Sequence, residues 1–249
     1  MYGKGEAERV VGEVFKGREL DGIKITTKCR LGTLPDEEVY DRLNTSLNKS
    51  LDNLNMEKVD LFLLHSQLRE DDFQLYTLNE YRETNTTSLS CYYNSVIPAF
   101  ERLKKEGKIG SWGIGGLGQN NAIIQAINHE TKPEAIQCVI NPLNSAGAIG
   151  YVDADYNPNS ILKESRKARI PILGIRAVQA GALTKKMDRE PHESGFDIKD
   201  FEDYDRAEPF RALASEWEIS PSLLAHRYAL SADEVSSVIL GVKNRTELL

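Results

Sequence analysis

The chain has 249 residues, enough for one or two packed cores, with 40% hydrophobic and 28% charged residues. Thirty-one basic and 38 acidic side chains leave a net charge of −7 with no basic cluster, which argues against a nucleic-acid binder. No apolar run approaches the 18 or more residues of a membrane span, and Cys29, Cys91 and Cys138 are too few and too scattered for a disulfide framework or a zinc site.

Taken in chain order, Val10, Val11, Val14 and Phe15 mark one face of a helix over Glu6 to Lys16. Ile23 to Lys28 is short and β-branched and reads as a strand. Pro35-Asp36-Glu37-Glu38 opens a helix with proline and acids in its first turn, and its buried stripe is Val39, Leu43, Leu47, Leu51 and Leu54. Val59 to His65 is nearly continuous apolar, as expected of a strand covered on both faces in a parallel sheet. The alternation continues with helices near 96–105, 122–127 and 161–167, each followed by a strand: 109–114, 136–140 and 170–175. Helices near 210–217 and 221–230 then lead to a strand at 235–240.

Six strands joined by helical crossovers imply an α/β fold with a parallel sheet. No GxGxxG follows a first strand, so a Rossmann sheet is not signalled. A (β/α)₈ TIM barrel needs eight strands, and this chain shows six. Ser66 to Tyr93, Tyr151 to Asn159 and Thr184 to Glu202 are polar and read as loops. The first follows directly on His65, and loops on the C-terminal side of strands are where barrels build their sites.

Lys28 and His65 end two successive strands. Neighbouring strands lie about 4.8 Å apart, so the two side chains converge at one rim as a candidate acid/base pair. The glycine-rich stretch Gly107 to Gly115 lacks Walker spacing and reads as a tight helix-to-strand turn.

At this point the residues meet a known family. Tyr2-Gly3-Lys4-Gly5-Glu6-Ala7-Glu8, Ile25-Thr26-Thr27-Lys28, Val59 to His65, Gly107-Lys108-Ile109 with Gly113-Ile114, Gln137, Gly181-Ala182-Leu183-Thr184 and Val238-Ile239-Leu240-Gly241 stand in the order and in the kind of element they occupy in aldo-keto reductases. The whole chain resembles that family. The resemblance implies one barrel domain over 1–249 that reduces an aldehyde or ketone with a nicotinamide cofactor held extended.

Tyr2 then matches the general acid, Lys28 the lysine beside it and His65 the histidine that orients the carbonyl. Gln137 matches the residue that holds the nicotinamide carboxamide. Ile175, Arg176 and Ala177 match the stacking position and the start of a phosphate-contacting loop, and Gly241 and Lys243 the turn that receives the adenosine phosphate. A lysine at 243 can pair with a 2′-phosphate, so the resemblance favours NADPH over NADH. The expected partner is a small carbonyl compound, and the expected compartment the cytoplasm.

The chain also departs from the family pattern. Gly115-Gly116 stand where many members have Ser-Asn, and Ile175 replaces an aromatic ring. The family's aspartate, five residues before the tyrosine, has no counterpart. The chain reads as lacking its first two strands and part of its last helix, and in isolation is expected to have little reductase activity. Two alternatives stand beside the reductase reading: a non-catalytic nicotinamide-binding barrel with a regulatory role, and a barrel lyase or hydrolase using Lys28 as a Schiff-base nucleophile.

Overall fold

The computed structural model describes residues 2–73, 84–233, 235–242 and 244–248; of Tyr2, Glu247 and Leu248 only the backbone is described. The chain divides into two compact units, residues 1–136 and 137–249.

In the first unit, α1 (Glu6–Phe15) precedes β1 (Thr26–Cys29), α2 (Asp36–Leu54) and β2 (Val59–Leu64). α2 forms where the sequence places it. Pro35 caps it, Asp36, Glu37 and Glu38 complement its N-terminal dipole, and Asn55 closes it in the left-handed conformation at φ 54°. Val39, Leu43, Leu47, Leu51 and Leu54 are all buried. Each fully buried leucine contributes about 1.5–3 kcal/mol of transfer free energy, so this stripe fixes α2 against the sheet.

β1 starts three residues later than expected. Ile23 is 41% exposed, and the Ile25 amide is taken by the Asp60 carboxylate at 2.8 Å. β1 pairs in parallel with β2, and β2 with β5 (Ile109–Ile114), through Leu61↔Ser111 and Leu63↔Gly113. β5 in turn pairs with the first residues of β6 (Ala135–Val139), Gly113 opposite Ala135. A Cβ on Gly113 would lie 2.1 Å from the Ala135 carbonyl oxygen, so only glycine allows that approach.

Helix α3 (Ile97–Lys105) covers this sheet, and α4 (Asn120–Ile127) follows β5. Phe100 of α3 sits edge-on to Phe62 at 5.7 Å and stacks on Trp112 at 5.3 Å. The Trp112 indole donates to Glu101, so the largest buried ring carries no orphaned donor.

The stretch from Ser66 to Tyr93, read from sequence as a loop, holds two short parallel strands, β3 (Gln67–Arg69) and β4 (Thr86–Ser88). Their residues are mostly buried yet polar, and a π-helical turn at Tyr92–Val96 leads into α3.

In the second unit, the rest of β6 neighbours β7 (Ile172–Ile175), which pairs in parallel with β8 (Val235–Val238). Its helices are α5 (Pro158–Ala168), α6 (Ile198–Arg206), α7 (Glu208–Glu216) and α8 (Pro221–Ser231). α6 corrects the expected loop over Thr184 to Glu202. Among the described residues the main sheet thus holds six parallel strands in βα alternation, with β3 and β4 forming a separate pair, an α/β chain of the TIM-barrel type with six of the eight barrel strands.

Candidate active site

β1 and β2 place two of the expected residues together. Lys28 lies opposite Leu63 in the ladder, and paired residues point to the same face. His65 is two residues beyond Leu63, so alternation gives it that face too. The ladder runs one step past the strands, because the His65 amide donates to the Cys29 carbonyl at 2.7 Å.

On the other side, the Gly115 amide donates to the Leu64 carbonyl at 2.9 Å. A Cβ on Gly115 would lie 3.2 Å from the Leu64 oxygen and 3.9 Å from the His65 Cα. Glycine at 115 therefore has a packing reason next to the histidine.

The His65 imidazole is partly buried, and burial pushes its pKa down from 6.5 to about 4; the positive charges of Lys28 and Arg30 act in the same direction. At neutral pH the ring is uncharged and carries one N–H donor and one acceptor nitrogen. A neutral donor beside a cation suits a group that polarises a carbonyl oxygen rather than one that gives up a proton.

The opposite face of β1 is fastened to the helices. Thr27 donates from its hydroxyl to Glu8 of α1 at 2.7 Å, and Asn53 of α2 donates to the other Glu8 oxygen at 3.0 Å. Burial alone would raise the Glu8 pKa, but these hydrogen bonds outweigh it and hold the carboxylate below its usual range. The turn Tyr2–Gly5 opens directly into α1, with Gly3 and Lys4 both at positive φ. The Tyr2 side chain is outside the described residues, as is Lys243.

Gln137, Ile175, Arg176, Ala177 and Gly241 belong to the second unit. Gln137 is 2% exposed in β6, and its Nε2 has no hydrogen-bond partner among the described residues. A buried amide donor left open in this way suits an amide oxygen supplied by a ligand.

Ile175 ends β7 half-buried, and its carbonyl accepts from Ile140 at 3.0 Å. Arg176 has φ 56°, and its guanidinium donates to Asp200 at 2.5 Å and to Gln179 at 2.8 Å. Its charge is thus committed to α6 rather than directed outward. Ala177 is buried beside it. Gly241 is exposed, with open space around it.

The network holding this loop was not foreseen. Asp200 also accepts from Arg189 at 2.9 Å and from the Ala148 amide at 3.0 Å, and Gln179 donates to Asp203 at 2.6 Å. Asn141 donates to the Arg176 and Ser145 carbonyls at 3.2 and 2.9 Å.

The aldo/keto reductase family model matches residues 1–249, through both units. The chain belongs to the aldo/keto reductase family. It is an oxidoreductase. Two relatives match nearly all of it: an uncharacterised oxidoreductase, YqkF, of Bacillus subtilis (24% identical, 100% of this chain and 73% of the relative) and L-galactose dehydrogenase of Arabidopsis thaliana (21%, 99% and 69%).

Among solved structures, an aldo-keto reductase from Bacillus halodurans superposes with a TM-score of 0.64 at 20% identity, covering 97% of this chain and 68% of that one. A glycerol dehydrogenase from Gluconobacter oxydans gives 0.63 at 20%, covering 99% and 71%. An aldo/keto reductase from Klebsiella pneumoniae, solved with NADP and acetate, gives 0.58 at 18%, covering 100% and 70%. These likenesses carry the fold of this reductase. Among the described residues, no helix is long and apolar enough to cross a membrane and no acidic, histidine or cysteine cluster could hold a metal ion.

Proposed function

We propose that this aldo-keto reductase reduces an aldehyde or ketone to the alcohol with NADPH, at a site built on Lys28 and His65. The observation that carries the reading is the pair itself: two chemically active side chains on one face, at the ends of adjacent parallel strands, with the histidine held neutral.

When bound, the nicotinamide supplies a hydride to the carbonyl carbon. The residues of this chain do the rest. His65 donates its N–H to the carbonyl oxygen and fixes its direction. As negative charge grows on that oxygen, the same hydrogen bond strengthens. Tyr2, on the family resemblance, gives its phenolic proton to the oxygen and completes the alcohol. A phenol titrates near 10, and the Lys28 ammonium favours the phenolate, which makes Tyr2 a better acid at neutral pH.

On the cofactor side, Gln137 offers its unpartnered buried amide to the carboxamide, a fit that supports a nicotinamide. Ile175 gives apolar contact to the ring, and the backbone around Arg176 and Ala177, which Asn141 holds at the Arg176 carbonyl, borders the phosphates. The turn at Gly241 and Lys243 receives the adenosine end, and a lysine there is the reason for NADPH over NADH. The substrate is a small carbonyl compound and the working compartment the cytoplasm.

The test is transfer of label. Purified full-length protein is given NADPH deuterated at the nicotinamide C4 and a panel of aldehydes and ketones, and the alcohols are examined by mass spectrometry. Deuterium at the carbinol carbon, absent when Tyr2→Phe is used, is expected. Tight NADPH binding with no labelled alcohol from any substrate would replace this reading with a regulatory nicotinamide-binding role.

A further inference from the structure

The loop after β7 is strained, and the reductase reading by itself gives no reason for it. Among the described residues of the second unit, Asn144, Arg169, Arg176, Gln179, Ala180 and Glu218 have positive φ without being glycine. Arg169 and Glu218 stand at the ends of α5 and α7, an ordinary use of that conformation. The other four lie in the loops after β6 and β7, with Arg176, Gln179 and Ala180 close together in the chain. Such strain persists only where the surroundings dictate it, and it gathers at ligand clamps.

One carboxylate does the dictating. Asp200 of α6 accepts from the Arg176 guanidinium and the Ala148 amide on one oxygen, and from Arg189 on the other. Arg176 passes the hold to Gln179 at 2.8 Å, and Arg189 passes it to the Ala180 carbonyl at 2.6 Å. All three strained residues of the loop are thus tied to Asp200 directly or through one arginine. The fit leaves no slack, since a Cβ on Gly147 would collide with the same carboxylate.

Asp200 has nothing to give a ligand directly. Both oxygens are taken, and its side chain is 5% exposed. Its negative charge is matched by two arginines, which keeps it from repelling an anion at the loop. The same unit also carries an independent pointer to a ligand, the buried and unpartnered Gln137 amide of β6. β6 neighbours β7, and the Ile140 amide donates to the Ile175 carbonyl, one residue before Arg176. A loop fixed in advance binds more tightly, because binding does not have to order it.

We propose that Asp200 is a positioning residue for the cofactor: from α6 it holds the loop at Arg176 to Ala180 in its strained form before the nucleotide arrives. This rests on the proposed reductase function, which sets the phosphates against the backbone of Arg176 and Ala177. Asp200 acts through Arg176 and Arg189 and touches neither substrate nor cofactor.

The experiment is steady-state kinetics of the full-length protein with NADPH and a reducible aldehyde, together with the NADPH Kd from fluorescence titration. Asp200→Asn keeps the side-chain shape and removes the charge. It is expected to raise KM and Kd for NADPH about tenfold, with kcat and the aldehyde KM within about threefold of wild type, the pattern of lost cofactor binding. Arg189→Met, at a side chain 34% exposed, is expected to fold normally and to raise the same two constants by a smaller factor, about threefold. Ile161→Val trims the buried face of α5 away from this loop and is expected to leave them unchanged.

NADPH constants that stay at the wild-type value in Asp200→Asn, or a fall in kcat alone, overturn the inference and leave the reductase reading intact. So does an equal rise in Ile161→Val, which would make the effect one of general stability. If Asp200→Asn does not fold by circular dichroism, Arg189→Met decides by the same criterion. A wild type that neither binds NADPH nor reduces any aldehyde ends the reductase reading, and this inference falls with it.

Discussion

The buried charge network of the second unit supports a quantitative prediction. Asp200 has a side chain 5% exposed, and it receives hydrogen bonds from Arg176, Arg189 and the Ala148 amide. Arg176 is itself only 15% exposed. Asp200→Ala removes the acceptor and leaves an arginine buried against Gln179, with the Asp203 carboxylate still acting on it. Removing one partner of a buried pair costs about 3–5 kcal/mol, because the other charge stays desolvated. The residual attraction of Asp203 places this site at the lower end, about 3 kcal/mol.

An exposed pair provides the control. Arg9 and Glu6 pair one turn apart on α1 with side chains 49% and 62% exposed, so Arg9→Ala costs at most about 0.5 kcal/mol. Urea unfolding followed by circular dichroism reads both. With a slope of about 3 kcal/mol/M, Asp200→Ala lowers the midpoint by about 1 M, and Arg9→Ala barely moves it. Equal shifts for the two variants would refute the reasoning that burial sets the energy of these pairs.

Two other outcomes follow from single groups. Tyr92 is fully buried and its hydroxyl has no hydrogen-bond partner among the described residues, so Tyr92→Phe is expected to raise stability by about 1 kcal/mol in the same unfolding assay. His65 is neutral in the fold and titrates near 4, against 6.5 when unfolded, so the unfolded chain binds the extra proton first. Its contribution is fully present above pH 6.5 and is lost as pH falls toward 4, up to about 3 kcal/mol. His65→Gln should flatten the unfolding midpoint over that range; an unchanged pH slope would contradict the assigned pKa.

Much of the fold was legible in the sequence because its signals were apolar. The α2 stripe is spaced by the helical period, and β2 is an apolar run broken only by Asp60, so Leu43, Leu47 and Leu63 show their burial by their chemistry alone. α6 was hidden for the opposite reason. Its buried positions are Asp200 and Asp203, which satisfy themselves with Arg176, Arg189 and Gln179 instead of packing against leucines.

Hydrophobic periodicity cannot find a helix whose inner face is charged. β3 and β4 failed similarly: three residues each, buried but polar, paired across an intervening stretch of chain. At the candidate site, strand order alone placed Lys28 with His65. The tight fit at Gly115 could not be read, because it comes from the Leu64 carbonyl of a neighbouring strand.

The central claim is that Lys28 and His65 carry carbonyl reduction at the mouth of the first unit. It is tested most directly by steady-state rates of NADPH oxidation with a reducible aldehyde, comparing the full-length wild type with Lys28→Met and His65→Gln in the same protein, all three shown folded by circular dichroism. The account predicts that each substitution lowers kcat by about 10²–10⁴, the range for losing a positioned proton-transfer or polarising group. Both variants turning over within threefold of the wild-type rate would contradict it.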